Sequence, residues 1–364
     1  MVCGHLRGLS DGVPICVSLV TNGRGIMMKR NYKIFVALLV ASMSLAATAQ
    51  AGDLGDAQHV QTSQLVQAQR STAMQRYASG RLQAIWNPHV NHNDVDWWGR
   101  HLSSWNYYAD NAVKGKSNAF AAGMDRNMGK ETRTGIYAMY NHTELHGGEA
   151  KALQQDWRIG AYMGKQHGAV QKYVYVNYGK LGNHFNWAEC GTDNKYHGQI
   201  VELGGEYKYD LHHDDGKTYH VSPYVNVQAS RCMQKSYREA FVETFEDHAV
   251  NFETVAAAVN NNYLAGEIGV ELRRELQAGD YALRLGYKRV LSGEGPILAY
   301  EFYANGGHLG GGYYSNDMDK DYLHLTLDGT LELSKRLSVT AEGGWLEGKH
   351  DRELMADVKL NWAF

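Results

Sequence analysis

The densest cluster of potential metal ligands is His212-His213-Asp214-Asp215, where imidazole and carboxylate lie side by side as in a divalent-cation site. Gly216 follows at once, and Asp and Gly also supply turn geometry, so a polar turn is the favoured reading and cation binding the alternative. A second cluster, Gly306-Gly307-His308-Leu309-Gly310-Gly311-Gly312, has the composition of an oxyanion loop. No Gly-x-Ser-x-Gly elbow, Walker lysine, dinucleotide fingerprint or His-Glu-x-x-His pair accompanies it, and it reads as a mobile loop. Glu267, Glu271, Arg273, Arg284 and Lys288 form the third group. They could make an acid–base constellation, but opposite charges on neighbouring strands more often neutralise each other. Catalytic residues, metals and cofactors are therefore not expected, and the chain does not read as an enzyme.

The segment ahead of these groups points to export. Lys29, Arg30 and Lys33 precede an apolar run over residues 34–47, and small residues follow at Ala47, Thr48, Ala49 and Ala51. Charge, apolar run and small residues in that order describe a secretory signal peptide, and the run is short of the roughly 20 residues of a spanning helix. Cleavage after Ala49 or after Ala51 fits equally well. The signal peptide is placed at 27–51, starting at Met27 or Met28, with 1–26 read as an upstream extension of the gene model. Removing 1–51 takes away five Lys/Arg and one Asp, so the formal charge moves from −3 to −7. A mildly acidic chain lacks the footprint of a nucleic-acid binder. Cys190 and Cys232 remain after that removal. In an oxidising compartment they could form one disulfide, with two free thiols the alternative.

The elements that position these residues follow from a period of two. Leu354, Ala356, Val358, Leu360, Trp362 and Phe364 alternate with Met355, Asp357, Lys359, Asn361 and Ala363. Leu323, Leu325 and Leu327 alternate with His324, Thr326 and Asp328, and Leu264, Ile268 and Val270 flank Ala265, Glu267, Gly269 and Glu271. Comparable runs begin near Trp97, Phe120, Gly135, Trp157, Tyr173, Val201, Val221, Leu283 and Leu337, which makes twelve candidate strands. Two-faced strands also build soluble sandwiches, whose inner faces must pack. Here one face repeatedly carries Glu, Lys, Arg and Asp, which a hydrated lumen accepts. Trp97, Trp98, Trp105, Tyr107, Tyr108, Tyr313, Tyr314 and Trp362 lie near strand ends, where interfacial girdles form. Gaps after even strands are short, whereas 231–260 and 292–320 after odd strands are long. That asymmetry matches short periplasmic turns and long outer loops. The expectation is an all-β transmembrane antiparallel barrel of about 12 strands over 95–364.

At several of these strands the chain resembles the autotransporter β-domain, the translocator of type V secretion. The resemblance rests on Gly123-Met124-Asp125-Arg126, Arg158-Ile159-Gly160-Ala161-Tyr162, Leu285-Gly286-Tyr287 and the terminal Leu360-Asn361-Trp362-Ala363-Phe364, in order along some 270 residues. It implies a monomeric outer-membrane barrel with a helical linker in its pore, reached through Sec export and the barrel-assembly machinery. Leu360, Trp362 and Phe364 would carry the assembly signal. Residues 52–94 would be the linker or a vestigial passenger. Within them 56–83 lack Pro and favour helix, and 28 residues at about 1.5 Å each would reach about 42 Å. Arg70, Arg76 and Arg81 could then meet wall acids such as Glu267 and Glu271. Almost no residues remain for a passenger between signal and linker, a departure from the family. The expected function is an anchor and pore for passage of an N-terminal segment. The alternative is an outer-membrane pore or adhesin-like protein acting through its long outer loops. Membrane lipid is the expected partner in either case.

Overall fold

The computed structural model describes Ser63 and residues 95–108, 112–129, 131–187, 192–213, 218–245, 248–293, 297–315, 319–334 and 336–363. Sixteen strands follow one another. The first eight are β1 Val95–Tyr108, β2 Val113–Asn127, β3 Thr132–Gly147, β4 Ala150–His167, β5 Val170–Trp187, β6 Thr192–Tyr209, β7 Tyr219–Gln234 and β8 Tyr237–Phe245. The second eight are β9 His248–Ala256, β10 Val259–Leu276, β11 Gly279–Ser292, β12 Ile297–Ala304, β13 Gly307–Ser315, β14 Asp321–Ser334, β15 Leu337–Glu347 and β16 Arg352–Ala363. Twelve of them close into a barrel in the order β1-β16-β15-β14-β11-β10-β7-β6-β5-β4-β3-β2. These twelve are the strands expected from the alternation. The closing seam pairs β1 with β16 from Asp96↔Ala363 to Tyr107↔Arg352. With no edge left in the barrel, the ladder satisfies backbone groups that lipid could not.

The two sides of each strand meet different surroundings. On β4, Trp157 and Ile159 are 62% and 66% exposed on the outside, whereas Asp156 and Arg158 between them are 0% and 1% exposed inside. A soluble protein would bury the first pair and expose the second. Here the apolar side chains face a medium that is not protein, as lipid-facing residues must.

Inside, aromatic rings lie over glycines on the neighbouring strand. Trp98 pairs with Gly123, Tyr162 with Gly135, Tyr137 with Gly160, Tyr175 with Gly204 and Tyr224 with Gly269. A Cβ at Gly204 would come within 2.5 Å of the Tyr175 ring. These glycines are thus required by close approach rather than by turn geometry.

The long outer segments are not loops. They form hairpins β8–β9 and β12–β13, which join through Tyr300↔Ala256 and Phe302↔Thr254 into a four-stranded sheet, β13-β12-β9-β8. The mobile loop expected at 306–312 is therefore strand β13. The Asn305-Gly306 turn before it has φ of 47° and 78°, the two left-handed residues of a type I′ hairpin. The sheet stands at the barrel end opposite the start of β1 and the end of β16, and its Tyr237, Leu298 and Tyr300 join a buried apolar cluster with Leu145, Leu181, Phe185 and Ile200.

The girdle expectation also needs correction. Trp97, Trp105 and Trp362 face outward, but Trp98 and Tyr108 point inward and are buried, because a one-residue step along a strand reverses the face. Tyr313 and Tyr314 belong to β13, outside the barrel.

Candidate functional site

The inward face of the barrel is the site, and its charged side chains come from strands that need not be neighbours. Arg158 on β4 lies 2.5 Å from Asp156 and reaches over β5 to Glu202 on β6 at 2.7 Å. Glu202 also accepts hydrogen bonds from Tyr175 Oη (2.7 Å), Gln228 Nε2 (3.0 Å) and Asn177 Nδ2 (3.2 Å). Each of these charges has its counterpart within the wall, whereas either one alone would be costly to desolvate.

A second network spans β6 to β14. Lys208 lies 2.8 Å from Glu271, which also meets Arg273 at 3.2 Å and Arg284 at 3.1 Å. Arg284 reaches from β11 over β10 and β7 to Glu206 at 2.7 Å and sits 4.3 Å above the Tyr224 ring. Tyr224 donates to Glu267 at 2.6 Å, and His324 Nδ1 lies 2.9 Å from the same carboxylate. Two smaller groups complete the lining. Arg100 joins Asp357 and Glu342, and Arg133 joins Asp96 and Asp125.

Mutual neutralisation, expected for Glu267, Glu271, Arg273 and Arg284, is what the structure contains, and Lys288 is buried opposite Glu267 in the β10–β11 register. Glu206, Lys208, Glu202 and Arg158 were missed, because their partners lie two or three strands away. The alternation marked all four as inward, but sequence spacing carries no information on which inward residues converge.

The other candidate positions are scattered. His212 and His213 lie in the β6–β7 turn, where the His212 amide donates to Asp210 Oδ1 at 2.9 Å; Asp214 and Asp215 lie outside the described residues. Among the described residues no group of three His, Cys, Asp or Glu is placed to hold a metal ion. Cys232 lies within β7 and is free and buried on the inner face; Cys190 lies outside the described residues. Leu360 and Trp362 face outward on β16, while Phe364, Arg70, Arg76 and Arg81 lie outside the described residues. Beyond the strands, the Glu131 carboxyl in the β2–β3 turn is held below its ordinary range by the His167 imidazole hydrogen-bonded to it at 2.9 Å.

The barrel, its closure and its polar interior can be set against known proteins. The family model described as "Autotransporter beta-domain" matches residues 97–344, well over half of the chain. The chain belongs to the autotransporter β-domain family. The match begins within β1 and ends within β15, so the family's domain is the barrel itself together with the outer sheet. The fold is also similar to the translocator domain of the autotransporter NalP from Neisseria meningitidis, with a TM-score of 0.61 at 14% identity, covering 82% of this chain and 98% of that one. The β-domain of the Bordetella autotransporter BrkA gives a TM-score of 0.50 at 14% identity, covering 75% of this chain and all of that one. No curated protein sequence matches the chain. This autotransporter β-domain is an outer-membrane translocator barrel, and the outward apolar face is its membrane anchor.

Proposed function

We propose that the N-terminal segment of this chain passes into the barrel and that residues 56–83 stay there as a helix against the charged lining. The observation that carries this reading is the interior itself. Arg158, Glu202, Lys208, Glu271 and Arg284 are paired along the wall, so a polar, arginine-bearing helix would meet neutralised surfaces rather than bare charge. Ser63, described as α-helical and fully buried, supports a helix in an enclosed place. Contacts of Arg70, Arg76 and Arg81 belong to the same proposal, with the remaining acceptor capacity of Glu267 and Glu271 as their counterpart.

Export of this barrel would use the signal peptide at 27–51 and the Sec route. Insertion would use the barrel-assembly machinery, which would read Leu360, Trp362 and Phe364 at the end of β16. The mature barrel acts as a monomer and does no covalent chemistry; its work is anchorage and passage. A disulfide between Cys190 and Cys232 would require Cys190 to reach the inner face of β7.

Planar-bilayer conductance tests the plug. The full chain should conduct weakly, and deletion of residues 53–83 should raise single-channel conductance several-fold. An open pore of equal conductance with and without the segment would overturn the proposal and leave an ordinary channel.

A further inference from the structure

The outward face near the loop end of the barrel carries an asymmetric charge pattern. The apolar band on β5 runs Val174, Val176, Tyr178 and ends at Lys180; on β7 it runs Val225, Val227, Ala229 and ends at Arg231. Above that border, β2 to β6 present Lys114, Lys116, Lys151 and Lys195 on the same outward face, and Lys235 follows β7 in the link to β8, all exposed. On this arc the alternation also places two carboxylates outward, Glu144, which is engaged by His142 at 3.2 Å, and Asp193 near the start of β6. On the opposite arc the charges cancel, as where Arg289 meets Asp321 at 3.4 Å.

The basic arc contains a groove of about 600 Å³ across β4 to β7. Trp157, Lys180 and Met233 line it in one register row, and His197 and Lys235 stand in the next row toward the outer end. Gly182 opens the space between them, since a Cβ there would meet only the Gln155 carbonyl at 3.8 Å. Lys180, Arg231 and Lys235 have no ion pair among the described residues. The wall just below this cleft is apolar, at Ile159, Tyr178 and Val201, while the cleft itself carries cations, and the two together have the polarity of an anionic amphiphile.

We propose that this groove binds a phosphate-bearing lipid of the outer leaflet, with its headgroup phosphate between Lys180 and Lys235, Arg231 at the border beside them on β7, and an acyl chain over Trp157, Tyr178 and Ile159. Cations at an anionic membrane surface each strengthen such contacts about five-fold, and the desolvated border of the lipid phase weakens screening. The placement depends on this barrel end facing outward, as the short turns, the start of β1 and the end of β16 at the other end require. It does not depend on what fills the pore.

Native mass spectrometry of the protein purified from membranes in detergent, titrated with bisphosphorylated lipid A, tests the site. The triple variant Lys180→Gln/Arg231→Gln/Lys235→Gln should raise the dissociation constant about 100-fold. Gly182→Leu, which fills the groove at unchanged charge, should weaken binding at least several-fold. The equal-charge control Arg126→Gln/Lys172→Gln/Arg274→Gln, on the outward face of the other end, should bind as the wild type does. Heat-modifiable gel mobility reports whether each variant retains its barrel. If the triple variant fails to fold, a salt series on the wild type replaces it, and binding should fall steeply with ionic strength. Equal binding of phosphate-free lipid, or no effect of either groove variant, would overturn the proposal. So would displacement of the lipid by the bisphosphorylated disaccharide headgroup alone at equal concentration, which would mark a free-phosphate site instead.

Discussion

Arg158 shows how much one side chain can hold in this barrel. It compensates two buried carboxylates, Asp156 and Glu202, from different strands, and none of the three has appreciable access to solvent. Replacement by Leu leaves both acids without their cation, and breaking a buried pair of this kind costs about 3–5 kcal/mol. Arg158→Leu should therefore lower the urea midpoint of unfolding from lipid vesicles by that equivalent. Arg158→Leu/Glu202→Leu should recover part of the loss, because one of the stranded charges goes too. Equal destabilisation of the single and double variants would show that the pair is not coupled. The inward position of both residues was legible from alternation. Their meeting was not, since 44 residues and one intervening strand separate them.

At the scale of elements, glycine and aromatic residues set how closely two strands' inner surfaces lie. Tyr175 and Gly204 occupy one register position on β5 and β6. Adding a methyl group at Gly204 drives it into the Tyr175 ring, and overpacking of this kind costs about 1–3 kcal/mol. Gly204→Ala should lower stability by about that amount in the same urea assay, and much less in a Tyr175→Leu background where the ring is gone. An equal cost in both backgrounds would assign the effect to the backbone instead. The two outer hairpins show where local signals were available and where they were not. Asn305-Gly306 is a direct hairpin signal after the strand-forming run of β12 and could have placed the turn, although the glycines that follow it read as loop. The pairing of β9 with β12 joins residues 44 to 52 positions apart, and no local pattern specifies it.

For the whole molecule, depth in the membrane decides the cost of a charge. Ile268 lies midway along the outward run of β10, between Leu264 and Leu272, and is 59% exposed to the surrounding medium. Ile268→Arg should destabilise the inserted barrel by about 2–4 kcal/mol, and Leu264→Arg, nearer the polar border at Asn262, by distinctly less. Folding titrations into vesicles of defined thickness would measure both. Equal costs would contradict a membrane centred on that row. The same depth ordering places the Lys180–Arg231 border at the outer surface, where the lipid groove lies.

Sequence alone determined the number of barrel strands, the face each residue takes and the end that carries short turns. Those follow from a period of two and from local turn chemistry, which need no knowledge of neighbours. It also supplied the expectation of a charged lumen. Only the tertiary structure decided which inward charges neutralise each other and that two long outer segments merge into one sheet. Closure of the cylinder brings distant residues together through register and curvature, and neither quantity is encoded within any single strand.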